Sequence, residues 1–274
     1  MRQLFRGSFP LPLLLALAAC ANPRVEAERL ATAQNMRPAQ LRTDAFTLSA
    51  FVRQSDPSRP LVVYVEGDGR AWLNRSTPSS DPTPHAPVAL WLAVRDPSPN
   101  VAYVARPCQY AAREQDAACA TARYWTSHRF AEEVVAATSQ AVDQLKGGGQ
   151  GRGVHLVGFS GGAAIAALVA ARRDDVLSLR TVAGNLDNDA FARLHKVSAM
   201  PNSLDAVQVA ARLARLPQVH LVGARDETVP RAVVESYLRA MGPSACVSVV
   251  EVAGASHDGP WEEAWSRQSP AACR

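Results

Sequence analysis

The alternation of short apolar runs with longer helical stretches limits the possible folds most strongly. Seven runs have the length and composition of β-strands, at residues 46–52, 61–66, 101–105, 154–159, 179–183, 219–222 and 246–252. Several are hydrophobic at nearly every position, which is typical of parallel sheets with helices on both faces. Helical stretches lie between them, at 130–146, 161–172 and 231–241. The sequence therefore predicts an α/β fold with a doubly wound, mostly parallel twisted sheet.

Composition and charge exclude several classes of protein. Hydrophobic residues make up 47% of the 274 residues and charged residues 20%, which disfavours disorder and fibres and suits one globular domain. The formal net charge is +4. It falls to +2 without residues 1–19, which hold Arg2 and Arg6 and no acid. With no basic run or basic stripe, the sequence gives no support for nucleic-acid binding.

The N-terminus has the pattern of an export signal. Arg2 and Arg6 precede an apolar stretch, residues 9–19, that is too short to span a bilayer. It ends in Leu17-Ala18-Ala19-Cys20, which resembles the bacterial lipobox, where the signal is cleaved and the new N-terminal cysteine is acylated. The alternative is an ordinary cleaved signal that leaves Cys20 as a stray thiol.

These features predict three segments: a signal peptide at 1–19, a lipidated N-terminus and tether at 20–44, and a folded domain at 45–274. In Gram-negative lipoproteins an Asp after the cysteine favours the inner membrane. Ala21 stands there, so the resemblance implies an outer-membrane anchor facing the periplasm. The cysteine count agrees with export, because four cysteines remain besides Cys20.

Three disulfide pairings of those four cysteines are possible. We prefer Cys108–Cys119, which closes a short polar loop, and Cys246–Cys273, which ties the C-terminal tail to the last strand. Each bridge contributes about 2–4 kcal/mol. Four free thiols are the alternative. A metal site is not expected, because no C-x-x-C or H-x-x-x-H spacing occurs.

Two connections between predicted strands are unusually long, at residues 67–100 and 185–217. Long excursions in a compact domain commonly form a lid or pocket wall. We expect the second, which lies between late strands, to form a small cap over the site.

The strongest chemical signal is Gly158-Phe159-Ser160-Gly161-Gly162, which matches the G-x-S-x-G nucleophile elbow. A strand pattern ends at Phe159 and a helix pattern follows, as the motif requires. Such a turn projects the serine hydroxyl above the sheet, and the flanking glycines remove Cβ clashes. The Gly161 N–H is then one expected oxyanion donor.

A serine nucleophile needs a base and an orienting acid, and candidates for both follow later strands. Asp226 lies in the turn after the strand at 219–222, and His257 lies in the loop after the strand at 246–252. Both positions are carboxyl ends of strands, where sites assemble in open parallel sheets. Asp187, after the preceding strand, is a rival acid. The other histidines fit the order Ser, acid, His less well.

A second oxyanion donor is expected from Glu66-Gly67-Asp68-Gly69, which follows an early strand. Carboxylates facing a forming oxyanion would oppose catalysis, so we expect the main-chain N–H of Asp68 or Gly69 to point inward. The two acidic side chains would then pair with cations such as Arg70 or Arg106.

Together these segments resemble the α/β-hydrolase superfamily over almost the whole mature chain. Ala183-Gly184-Asn185-Leu186-Asp187 and Arg106-Pro107-Cys108-Gln109-Tyr110 resemble segments of poorly characterised bacterial α/β-hydrolase lipoproteins. The resemblance implies an eight-stranded sheet and hydrolysis of an ester, thioester or amide through an acyl-enzyme on Ser160, with Asp226 and His257 completing a triad.

The expected enzyme is thus a lipid-anchored serine hydrolase of the carboxylesterase or lipase type. Its partners would be a small-molecule or lipid ester substrate and the membrane that holds Cys20. No cofactor is required by this chemistry. The alternative is a lipoprotein that keeps the fold but serves as a binding or scaffold module, because fold and function are separable. The sequence is silent on the acyl chain and the oligomeric state.

Overall fold

The computed structural model describes residues 22–111, 116–147 and 153–268, together with Cys273. The predicted signal segment 1–19 and the predicted lipidation site Cys20 lie outside the described residues. Eight strands form one sheet in the order β1-β2-β4-β3-β5-β6-β7-β8. The strands are β1 (Arg37–Arg42), β2 (Thr47–Gln54), β3 (Leu61–Val65), β4 (Asn100–Val104), β5 (Val154–Phe159), β6 (Val176–Val182), β7 (Gln218–Gly223) and β8 (Val247–Val252).

Seven α-helices are described: α1 (Pro23–Thr32), α2 (Val88–Ala93), α3 (Glu132–Lys146), α4 (Gly161–Ala170), α5 (Asn188–His195), α6 (Arg231–Met241) and α7 (Glu262–Ser266). Short 3₁₀ helices cover Ala117–Ala120, Ala122–Trp125 and Ala206–Leu213. Among the described residues, no helix is both long enough and apolar enough to cross a bilayer.

The sheet is mostly parallel. Strands β3 to β8 all pair in parallel, whereas β2 runs antiparallel to both β1 and β4. Every residue of β3, β4 and β7 is buried, because helices cover both faces of the sheet. The predicted doubly wound architecture is confirmed.

Two hydrophobic cores lie on opposite faces of the sheet. One is formed with α3, α4 and α6, which contribute buried residues such as Val134, Ile165 and Val234. The other is formed with α1, α2 and α7, where Leu90 and Trp265 are buried. Helix α4 is buried at every position, in agreement with its all-round apolar sequence. This central helix directly follows Ser160 and fixes its position.

The prediction that residues 20–44 form a tether is wrong for most of this segment. Asn22 caps α1 by accepting a hydrogen bond from the Arg24 N–H (3.0 Å), and α1 buries Ala27 and Ala31. Strand β1 then pairs with β2. It is an edge strand in which only Leu41 is buried, so its polar sequence lacks an apolar run. The folded domain therefore begins before residue 45.

Both preferred disulfides are present, as Cys108–Cys119 and Cys246–Cys273. The first joins the loop after β4 to the 3₁₀ helix Ala117–Ala120. The second connects Cys273 to the residue that precedes β8. The pairing prediction is confirmed for both bridges.

Candidate active site

The site is built around Ser160, which stands between β5 and α4. Its backbone has φ 50° and ψ −121°, a strained conformation for a residue with a Cβ. A Cβ on Gly158 would overlap the Ala163 Cα, and a Cβ on Gly162 would overlap the Val65 carbonyl oxygen. Both positions therefore require glycine, and the strand-to-helix elbow predicted from the motif is present.

His257 lies in the loop after β8 and faces the serine. The Ser160 Oγ is 3.0 Å from His257 Nε2, which is hydrogen-bond distance. The Trp261 indole N–H donates to the His257 carbonyl (3.0 Å) and the Phe159 ring lies 5.1 Å from the imidazole. The first contact holds the loop that carries His257, and the second packs against its imidazole ring.

Asp226 lies in the turn after β7 and orients the imidazole. His257 Nδ1 donates to Asp226 Oδ2 (2.9 Å), while Asp226 Oδ1 accepts from the Thr228 N–H (2.9 Å) and the Val229 N–H (2.8 Å). The Asp226 side chain is fully buried. Because both oxygens accept hydrogen bonds, the carboxylate fixes the tautomer that leaves Nε2 free to accept from Ser160.

The rival acid, Asp187, has a different role. It is the N-cap of α5, where it accepts from the Ala190 N–H (2.7 Å), and its other oxygen accepts from the Ser236 hydroxyl (2.5 Å). The structure therefore joins Asp226, and not Asp187, to His257.

The remaining histidines lie outside the hydrogen-bonded chain of Ser160, His257 and Asp226. His220 Nδ1 is 2.8 Å from the Thr181 hydroxyl, and burial lowers the pKa of His220 to about 4. His155 Nδ1 is 2.8 Å from the Ser178 hydroxyl. His195, at the end of α5, donates from Nε2 to the Thr228 carbonyl (2.8 Å) and so joins α5 to the Asp226 turn.

The loop after β3 lies beside the elbow. A Cβ on Gly161 would overlap Asp68 Oδ1, so the Asp68 carboxylate rests against the Gly161 main chain. Gly69 instead lies against the Pro82 carbonyl, and its φ is +62°. Of the two residues predicted to supply a donor, Asp68 is the one whose side chain lies against the elbow. The N–H groups of Gly161 and Asp68 have no hydrogen-bond partner within the described part of the chain.

Two arginines hold the Asp68 carboxylate. Arg106 Nη1 donates to Asp68 Oδ1 (3.0 Å), and Arg129 Nη1 lies 3.2 Å from Asp68 Oδ2. Arg106 was one of the predicted partners, whereas Arg70 makes no such contact. Gln109 braces the same loop, because it donates to the Gly67 carbonyl (2.9 Å) and accepts from the Arg106 N–H (3.0 Å).

Glu66 was expected to pair with an arginine, and this expectation is wrong. Its carboxyl group is buried and accepts from the Gly67 N–H (2.8 Å). Burial raises the pKa of Glu66 to about 7, although several main-chain N–H groups and the Tyr103 hydroxyl oppose that shift. Glu66 thus forms no ion pair with Arg106 or Arg129 and instead bonds to the main chain of its own loop.

Arg129 was missed by sequence reasoning. It lies just before Phe130, in no recognisable motif, and its contact with Asp68 joins positions that are far apart in sequence. Among residues 22–111, 116–147 and 153–268, no three His, Cys, Asp or Glu side chains are grouped as a metal site.

No family model and no curated protein matches this sequence. Solved structures do match. An esterase from Pyrococcus furiosus has a TM-score of 0.61 at 12% identity, over 86% of this chain and 90% of that chain. A serine hydrolase homologue from Coxiella burnetii has a TM-score of 0.52 at 16% identity, over 84% and 92%.

A puromycin-hydrolysing peptidase from Mycobacterium tuberculosis has a TM-score of 0.58 at 19% identity, over 85% of this chain and 38% of that chain. At such identities the likeness concerns the backbone and says nothing of the substrate. The strand order and the elbow after β5 agree with this likeness of the backbone. This chain therefore has the α/β-hydrolase fold.

Proposed function

We propose that this protein is a serine hydrolase that cleaves a carboxylic ester, thioester or amide through an acyl-enzyme on Ser160. One observation carries the proposal: Ser160, His257 and Asp226 form a continuous hydrogen-bonded chain, with separations of 3.0 and 2.9 Å. Three side chains that are distant in sequence meet at the carboxyl edge of the sheet. This is the arrangement that activates a serine hydroxyl.

In the proposed reaction Ser160 Oγ attacks the substrate carbonyl carbon while His257 Nε2 takes the hydroxyl proton. The buried Asp226 carboxylate stabilises the imidazolium that forms. His257 then gives the proton to the leaving group, and the acyl group remains on Ser160. Water, deprotonated by His257, attacks the acyl carbon. The bond from the acyl carbon to Ser160 Oγ then breaks, the acid is released and His257 returns the proton to Ser160 Oγ.

The oxyanion of each tetrahedral intermediate would be held by the main-chain N–H groups of Gly161 and Asp68. Both are without an internal partner in the described structure, as such donors must be before substrate binds. Gly161 is also the first residue of α4, whose positive dipole end favours a negative charge there.

Ester turnover tests the proposal. We expect the purified protein to hydrolyse 4-nitrophenyl esters and the Ser160→Ala variant to lose that activity by several powers of ten while keeping its fold. A series from short to long acyl chains identifies a carboxylesterase or a lipase-like preference. Equal turnover by the wild type and the Ser160→Ala variant would refute the proposal.

A second candidate is a binding or scaffold module that does not use its triad. The observation in its favour is the Asp68 carboxylate, which lies beside the place where an oxyanion would form. A stable envelope partner whose binding ignores Ser160→Ala, together with no turnover of any acyl ester, would favour this candidate.

We also propose that Cys20 is lipidated and anchors the protein to the outer membrane, facing the periplasm. Helix α1 begins at Pro23, so the anchor would hold the folded domain close to the bilayer. Incorporation of labelled palmitate in a bacterial host, lost in the Cys20→Ala variant, tests this. Fractionation of the labelled protein separates inner from outer membrane.

A further inference from the structure

Arg129 lies beside the proposed oxyanion hole without serving the proposed acyl transfer. Its Nη1 is 3.2 Å from Asp68 Oδ2, and the Asp68 carboxylate rests against Gly161, the residue after the nucleophile. The guanidinium group is therefore separated from the elbow by a single carboxylate. A substrate whose carbonyl is held at Gly161 would bring its neighbouring groups within reach of Arg129.

Arg129 has spare hydrogen-bonding capacity beyond its ion pair with Asp68. Its side chain is only 11% exposed, yet it donates no hydrogen bond to any residue in the described ranges, and its Nε is buried without a partner. The Nε of Arg106 is also buried without a partner, but Arg106 donates to both the Asp68 carboxylate and the Arg129 carbonyl. A largely buried guanidinium with five donors and one ion pair is unfavourable unless a further acceptor arrives.

The local charge is also out of balance. Two guanidinium groups share one carboxylate, because Arg106 bonds to Asp68 Oδ1 and Arg129 pairs with Asp68 Oδ2. Glu66 lies on the same loop, but it is buried, bonded to the Gly67 N–H, and has its pKa raised to about 7. The cluster of Asp68, Arg106 and Arg129 therefore keeps an excess positive charge at the site.

Two aromatic rings flank the guanidinium of Arg129. It lies 5.3 Å from the ring centre of Phe130 and 5.9 Å from that of Phe191, which belongs to α5. Phe191 in turn contacts His195, whose imidazole bonds to the Thr228 carbonyl beside Asp226. These contacts orient a planar group that pairs well with carboxylate or phosphate oxygens.

We propose that Arg129 binds an anionic group of the substrate, so that the site prefers acyl compounds carrying a carboxylate or a phosphate over neutral ones. The inference rests on the proposed function and specifies its substrate class. Arg129 would act as a specificity residue that touches the substrate away from the reacting carbonyl.

The test compares two matched esters, 4-nitrophenyl pentanoate and 4-nitrophenyl hydrogen glutarate. Their acyl chains differ only at the far end, which is a methyl group in the pentanoate and a carboxylate in the glutarate. We expect the wild type to have a higher kcat/KM for the glutarate ester, with the Ser160→Ala protein supplying the background rate. Arg129→Gln should lower the ratio of anionic to neutral kcat/KM at least tenfold, and Arg129→Lys should lower it less.

Arg70→Gln is the matched control, since it removes the same charge from an exposed residue close to Asp68. Its ratio should equal that of the wild type. A wild-type ratio at or below one would overturn the inference, and so would an equal ratio in the wild type and Arg129→Gln. Either result leaves the proposed function intact if the pentanoate ester is hydrolysed by Ser160.

A binding measurement separates the inference from catalysis. We expect glutarate or glycerol phosphate to bind the wild type in calorimetry and to bind Arg129→Gln at least tenfold more weakly, with thermal melting showing that both proteins are folded. Comparison of the two dissociation constants shows whether the site prefers a carboxylate or a phosphate. If neither anion binds, or both bind the two proteins equally, the inference is wrong even where no ester is turned over.

Discussion

The carboxylate of Asp68 lies against the main chain of Gly161, so closely that a Cβ on Gly161 would overlap Oδ1. This contact joins the loop after β3 to the first turn of α4. It places the Asp68 side chain beside the residue that follows Ser160, and Arg106 and Arg129 offset the carboxylate charge. The proposed oxyanion hole requires this charge compensation, because the loop carries a negative side chain.

Gly161→Ala tests this contact. The new Cβ would displace the Asp68 carboxylate and with it the proposed donor, so we expect kcat to fall by about 10²-fold, as for the loss of one oxyanion donor. In an Asp68→Ala background the same change should lower kcat much less, because the carboxylate that the new Cβ would displace is absent. Steady-state kinetics on the four proteins measures the coupling. Equal losses in both backgrounds would contradict the contact.

Asp226→Asn and Asp187→Asn form a matched pair. In Asp226→Asn the amide oxygen would still accept from the Thr228 and Val229 N–H groups, but the side chain would no longer fix the His257 tautomer. We therefore expect kcat to fall by about 10⁴-fold with little loss of stability. Asp187→Asn should leave kcat nearly unchanged, because Asp187 caps α5. Kinetics and urea unfolding on both variants decide which acid acts.

Glu66→Gln should change how stability depends on pH. The folded-state pKa of about 7 lies above the ordinary value of 4.5, so the folded protein binds the proton more tightly than the unfolded chain. This contribution is fully present below pH 4.5 and is lost as the pH rises through 7, about 3 kcal/mol in all.

Urea unfolding between about pH 4.5 and pH 8 measures the effect as a difference between the wild type and Glu66→Gln. We expect the wild type to lose stability relative to the variant across this range. A difference that stays constant with pH would show that Glu66 does not titrate in this way.

The two disulfides should differ in their effect on activity. Replacing Cys108 and Cys119 by Ala should lower the free energy of unfolding by about 3 kcal/mol and also lower kcat/KM. Activity should suffer because Cys108 lies between Arg106 and Gln109, which hold the loop after β3.

Replacing Cys246 and Cys273 by Ala is the control. It should cost stability to a similar degree but leave kcat/KM unchanged, because that bridge connects the residue before β8 to the tail. Denaturant unfolding and ester turnover on both double variants test the distinction, and matching losses of activity would contradict it.

The sequence was sufficient for the elements with a strong local pattern. The buried strands have continuous apolar runs and α4 is apolar on all sides, so the sheet and the elbow could be predicted. Strand β1 could not, because an edge strand with one buried side chain carries no hydrophobic period. Helix α1 was assigned to a tether for the same reason, since only Ala27 and Ala31 are buried.

Within the site, the limit was long-range contact. Asp226 and Asp187 both follow strands, and only the tertiary structure shows which one reaches His257. Arg129 gave no signal, because its role depends on Asp68 and Phe191 being brought beside it by the fold. Glu66 and Asp68 look alike in sequence, but Glu66 is fully buried whereas Asp68 is partly exposed and paired with two arginines.

Covalent labelling measures directly whether His257 and Asp226 make Ser160 a nucleophile, as proposed. A fluorophosphonate should add to a single peptide, the one containing Ser160, as located by mass spectrometry. The adduct should be absent from Ser160→Ala and form far more slowly in His257→Ala. Labelling that continues unchanged in Ser160→Ala, or its absence from the folded wild type, would contradict the account.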